Sequence, residues 1–140
     1  MKEKKKNRAE CFWGIHSDFH AHPNYGTIVG ATFKEEDIRT ICENVKPDFI
    51  QIDCKGHPGY ASYPTKIGNA MPMAFDTLAM WRRITEEYGI RLYMHISGVF
   101  DRKYCEEHPE DATIFADQTP SPSVRLDGKY LDDYFIPQVC

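Results

Sequence analysis

Gln51-Ile52-Asp53-Cys54-Lys55-Gly56-His57-Pro58-Gly59-Tyr60-Ala61-Ser62-Tyr63-Pro64-Thr65-Lys66 decides the fold. Ile50, Ile52 and Cys54 alternate with Gln51, Asp53 and Lys55, so residues two apart share one face of a strand. The strand then breaks into a loop set by Gly56, Pro58 and Gly59 that carries Lys55, His57, Tyr60, Tyr63 and Lys66. A buried strand running into a polar, aromatic loop is how α/β enzymes present a site, because ligands sit beyond the carboxyl ends of parallel strands. Trp13–His22 and Ile90–Asp101 repeat the pattern, so three strand ends are expected to share one pocket.

Working outward, Trp13 to Phe19 reads as the first strand, with His16, Asp18 and His20 on one face. Thr32-Phe33-Lys34-Glu35 predicts a capping box, followed by an apolar helix stripe at Ile38, Ile41, Cys42 and Val45 that Pro47 ends. Asp76 is expected to cap a second helix whose buried side is Leu78, Trp81, Ile84 or Thr85, and Tyr88, with Gly89 as its terminator. Ile90 to Ser97 reads as the third strand, Leu92, Met94 and Ile96 facing one way and Tyr93, His95 and Ser97 the other. Arg102 to Glu107 predicts a helical turn, Thr113 to Tyr130 an elaborated loop, and Asp132 the cap of a last helix.

The order β-α-β-α-β demands parallel strands. One face of each strand is apolar and the other polar, unlike an open sheet covered by helices on both sides. That alternation suits a (β/α)8 barrel, in which outward residues pack on helices and inward residues near the strand ends line the site. A barrel takes about 250 residues, and this chain has 140. The expected class is therefore α/β, the N-terminal portion of such a barrel with about three βα units. Residues 1–11 are expected to be a disordered basic terminus and residues 12–140 a partial catalytic domain truncated at its C-terminus. Such a piece alone, with two sheet edges, is expected to be inactive and aggregation-prone.

Composition narrows the partners. A net charge of −4 argues against a nucleic-acid surface. No apolar run approaches membrane-spanning length, and the basic MKEKKKNR start lacks the apolar stretch a signal peptide needs. Five scattered cysteines with no C-x-x-C pair point to neither a disulfide framework nor a thiolate zinc site, hence to a reduced, cytoplasmic protein.

The candidate chemistry lies at the strand ends. Asp18-Phe19-His20-Ala21-His22 has the D-x-H-x-H spacing by which imidazoles converge on one divalent metal, as in amidohydrolase-like and polymerase/histidinol-phosphatase-like hydrolases. The same string also reads as hydrogen-bonding groups entering a sugar-sized pocket, with no metal. In the second loop His57 offers hydrogen bonding or titration near neutrality, and Tyr60 and Tyr63 offer flat faces with polar tips. Carbohydrate sites need that mixture; a packed turn is the plain alternative. His95 lies on the polar face of its strand and reads either as a pocket residue or as a buried structural histidine.

Taken together, Trp13-Gly14-Ile15-His16-Ser17-Asp18-Phe19-His20-Ala21, Lys55-Gly56-His57-Pro58-Gly59-Tyr60 with Ser62-Tyr63-Pro64-Thr65-Lys66, and Leu92-Tyr93-Met94-His95 resemble the N-terminal part of the α-L-fucosidase-like barrels. The group of hypothetical glycosyl hydrolases is the nearest. In α-L-fucosidases the second-strand loop reads roughly K-H-H-D-G-F. Lys55, His57, Gly59 and Tyr60 follow it here, while Gly56 and Pro58 replace His and Asp. The resemblance implies a retaining glycoside hydrolase with a carbohydrate substrate, and leaves open by register which of His16, Asp18 and His20 takes the family's first-strand sugar contact. The sugar site is expected to draw on Asp18, His20, Lys55, His57, Tyr60 and His95, with no cofactor. The resemblance also implies that the nucleophile and the acid/base lie beyond Cys140. The rival readings are a metal-dependent hydrolase built on Asp18, His20 and His22, and a catalytically inactive carbohydrate-binding barrel.

Overall fold

The computed structural model describes residues 6–26, 28–98, 100–112, 122–124 and 130–134. Three adjacent parallel strands form the centre: β1 (Gly14–Ser17), β2 (Phe49–Lys55) and β5 (Arg91–Ile96), with β2 in the middle. Two short strands, β3 (Tyr60–Ala61) and β4 (Asn69–Ala70), extend the sheet; β3 runs antiparallel to the end of β2. The crossovers carry α1 (Glu35–Thr40), which continues as a π-turn over Ile41–Val45, and α2 (Thr77–Glu87). After β5 comes α3 (Arg102–Glu107), then an antiparallel pair, β6 (Pro122–Val124) and β7 (Tyr130–Tyr134).

The register carries the alternation across the sheet. Ile15, Ile50 and Leu92 stand side by side, and one residue on so do His16, Gln51 and Tyr93. Ile50, Ile52 and Cys54 pack with Ile38, Cys42, Trp81, Ile84 and Ile90 into the main core. Each such isoleucine contributes about 1.5–3 kcal/mol by leaving water, which settles which face of β2 the helices cover. Asp53 and His95 pair across the opposite face.

The second helix forms as its sequence implies. Asp76 Oδ1 accepts from the Ala79 N–H at 2.9 Å, Trp81, Ile84 and Thr85 are buried, and Gly89 follows the last turn. The first helix starts two residues later than its capping box. Lys34 is the N-cap and its N–H donates to Asp37 Oδ2 at 2.9 Å, because the chain stays extended through Lys34 while the Phe33 ring packs on Trp81 at 5.5 Å. Lys46 ends the π-turn in a left-handed conformation, and Val45, expected on the apolar stripe, is exposed.

Three further expectations are corrected. β1 stops at Ser17, so Asp18 and His20 lie in the loop beyond the strand. Met94 and Ile96, expected to lie under helices, are 45% and 49% exposed; of their side of β5 only Leu92 packs on the core. Tyr130–Tyr134 is a strand and not the start of a helix capped by Asp132; its sequence, YLDDY, has no 3.6-residue apolar stripe to bury. Apart from β6 and β7, the segment read as an elaborated loop lies outside the described residues.

At the other end of β1, Asp48 anchors the chain that enters the sheet. Its carboxylate accepts from the Phe12 N–H (2.8 Å) and the Trp13 N–H (3.2 Å) and pairs with Lys6 at 2.5 Å. These donors, Lys6 first, hold the Asp48 carboxyl down at about 2.

Candidate functional site

The carboxyl ends of β1, β2 and β5 bring together five of the six residues singled out in the sequence as sugar contacts: Asp18, His20, Lys55, His57 and His95. Asp53, at the end of the central strand, is the hub. Its side chain is fully buried, and its Oδ1 accepts from His95 Nδ1–H at 2.9 Å on the neighbouring strand. Because an ionised carboxylate only accepts, Nδ1–H is the donor of this pair and Nε2 lies outside it. On the β1 side, His20 Nε2 lies 3.0 Å from Asp18 Oδ1 and 3.8 Å from Asp53 Oδ2. Asp53 Oδ2 itself is buried and has no hydrogen-bond partner among the described residues.

Aromatic edges extend this cluster. The His20 and His57 rings lie 4.5 Å apart between centroids, and His57 is 4.6 Å from Phe100. His16, two residues before Asp18 on β1, meets His95 edge-on at 5.5 Å. The imidazoles of residues 16, 20, 57 and 95 are thus linked to one group through His20 and His95, the two that reach the Asp53 carboxylate.

Lys55 ties the end of β2 to the start of α3. Its Nζ forms an ion pair with Asp101, which is nearly buried, and donates to the Ser97 carbonyl at 3.4 Å. Asp101 also caps α3, its Oδ1 accepting from the Tyr104 N–H at 2.8 Å. Among the described residues Lys55 has two partners for its three N–H donors, so one donor is left for a ligand. The loop backbone closes on the same region, the Arg102 and Lys103 N–H groups donating to the carbonyls of His57 and Pro58.

Tyr60 and His22 stand apart from this cluster. Their rings meet at 5.9 Å, and Tyr60 packs on Ala21, Val29 and Met71. His22 Nδ1 accepts from the Asn24 N–H at 3.0 Å, so it serves the turn after β1 and does not join Asp18 and His20. In the trio of donors Asp53 takes the place the sequence spacing gave to His22. Sequence reading places Asp53 on the polar, concave face with Asp18 and His95, opposite Ile52 and Cys54, but does not count it among the sugar contacts.

A cleft of about 620 Å³ opens beside the cluster, between the turn at 28–33, the strand ends and α2. It is lined mainly by apolar groups, among them Val29, Phe33, Leu78 and Trp81, and reaches the cluster through Asp18 and Asp53. The nearby Cys54 thiol is pushed up to about 11, first by burial and then by the Asp53 charge. Among the described residues every cysteine is free, and no helix is long and apolar enough to cross a membrane.

No family model and no curated protein matches the chain. Among solved structures it is similar to alpha-L-fucosidase isoenzyme 2 from Paenibacillus thiaminolyticus, at 19% identity and a TM-score of 0.75. The likeness covers 90% of this chain and 19% of that one, so the chain spans about a fifth of the length of the enzyme it matches. At that identity the likeness establishes a shared fold.

Proposed function

We propose that residues 12–140 are the N-terminal part of the catalytic barrel of a glycoside hydrolase of the α-L-fucosidase kind. In this reading Asp18, His20, Lys55, His57 and His95 bind the sugar, Asp53 positions two of the histidines, and the carboxylate pair comes from chain beyond Cys140. What carries the reading is the gathering of the His20, His57 and His95 imidazoles with Lys55 at the carboxyl ends of three adjacent parallel strands. The fucosidase-like fold supports it.

The geometry suits a polyol. His95 Nε2 and the remaining Lys55 donor supply directed hydrogen bonds, and Asp18, being exposed, accepts from a hydroxyl. The tilted His20, His57 and Phe100 rings give a flat apolar rim against which a sugar C–H face can lie. Retaining hydrolysis then needs a nucleophilic carboxylate and an acid/base roughly 5–5.5 Å apart. The residues described here bind and orient the glycoside for that pair.

The test is a titration with L-fucose followed through the histidine imidazole NMR signals. Those of His20, His57 and His95 should move in a saturable way while exposed His108 stays in place. Signals unmoved by L-fucose and by a panel of other monosaccharides would refute the sugar site.

A further inference from the structure

We propose that Asp18, His20 and Asp53 bind one divalent transition-metal cation, through Asp18 Oδ1, His20 Nε2 and Asp53 Oδ2. This goes beyond the glycoside reading and does not depend on it. The three donor atoms all lie within 4.8 Å of one another, with His20 Nε2 at 3.0 Å and 3.8 Å from the two carboxylate oxygens. Donors held about 2.0–2.2 Å from one ion are about 3 Å apart when adjacent and about 4.4 Å apart when opposite. The trio therefore needs only small side-chain adjustments to close on an ion.

The decisive atom is Asp53 Oδ2. The Asp53 side chain is fully buried, Oδ1 is held by His95, and Oδ2, 3.8 Å from His20 Nε2, has no hydrogen bond among the described residues. A buried carboxylate oxygen without a partner is costly, and a cation supplies the missing one. The His95 Nδ1–H bond to Oδ1 is the outer support that orients a metal-binding carboxylate.

Room for the ion is kept by Gly56. A Cβ there would lie 2.6 Å from His20 Cδ2 and 2.9 Å from Asp53 Oδ2, directly against two of the three ligands. Two carboxylates and a neutral imidazole give a donor set of charge −2, matched to a divalent ion. Mixed oxygen and imidazole donors suit Mn²⁺, Fe²⁺ or Zn²⁺. Asp18 is 62% exposed, so the outward coordination positions are open to water or to a ligand oxygen.

The test is Mn²⁺ titration of the purified protein near neutral pH, with free Mn²⁺ read by electron paramagnetic resonance. One Mn²⁺ per chain should bind, and Asp18→Asn, His20→Ala and Asp53→Asn should each weaken binding by about tenfold or more. His22→Ala and His108→Ala should leave it unchanged. Circular dichroism checks each fold, and the exposed Asp18→Asn keeps the test decisive if Asp53→Asn unfolds. Absence of a saturable site would overturn the proposal. So would unchanged affinity in Asp18→Asn and His20→Ala, or loss of binding in His22→Ala or in His108→Ala, which sits in an exposed His108, Glu110, Asp111 cluster.

Discussion

Gly59→Ala should be the most damaging single-methyl change in the second-strand loop. Gly59 has φ of 89°, a backbone conformation that costs a non-glycine residue about 1–3 kcal/mol. The added Cβ would also land on Asp101 Oδ1, with Lys103 Cβ 2.9 Å away. Asp101 cannot step aside cheaply, because its carboxylate both caps α3 and holds Lys55. Losing the cap costs about a further 1 kcal/mol. The whole effect is then about 2–4 kcal/mol, or a fall in Tm of roughly 8–15 °C for a chain of this size. Gly68→Ala is the control: φ is 68°, but nothing lies within 4 Å of its Cβ, so it meets only the backbone cost of about 1 kcal/mol. Thermal melts of both variants, followed by circular dichroism, read the difference. Equal melting temperatures for the two would refute the argument that the Asp101 carboxylate is the hub of this loop.

Two further outcomes follow from the charges described. Asp48 is held at about 2, below its ordinary value near 4, so the stability it lends is complete above pH 4 and is lost as the pH falls through 2. The Phe12 and Trp13 amides should lose hydrogen-exchange protection in that window, and Asp48→Asn should remove the dependence. Cys54, 1% exposed and pushed up to about 11, should resist an aromatic disulfide reagent at pH 8 under native conditions, while partly exposed Cys11 reacts. Labelling of Cys54 at the rate of Cys11 would contradict its burial.

Sequence legibility followed the range of the physics involved. The alternation of Ile50, Ile52 and Cys54 with Gln51, Asp53 and Lys55 is a local signal, and it assigned the faces of β2. Asp76 and Gly89 bound α2 through contacts within one turn. The rest depended on distant partners. The Thr32 capping box competed with Phe33 packing on Trp81, a residue of another helix, and lost. The D-x-H-x-H spacing suggested His22, yet the local turn claimed that side chain, and the third member came from Asp53 on the next strand. Lys55 was legible as a site residue, but its anchoring by Asp101 needed the fold to bring α3 beside β2.

Hydrolysis of aryl glycosides by the protein, with residues 1–140 in their natural reading frame, tests the sugar-site reading most directly. We expect cleavage of one member of a panel that includes the aryl α-L-fucoside. His57→Ala should lower kcat/KM by about 100-fold or more, roughly 2.7 kcal/mol of transition-state stabilisation, with the melting temperature little changed. Cleavage of none of the panel, or turnover that His57→Ala leaves untouched, would contradict it.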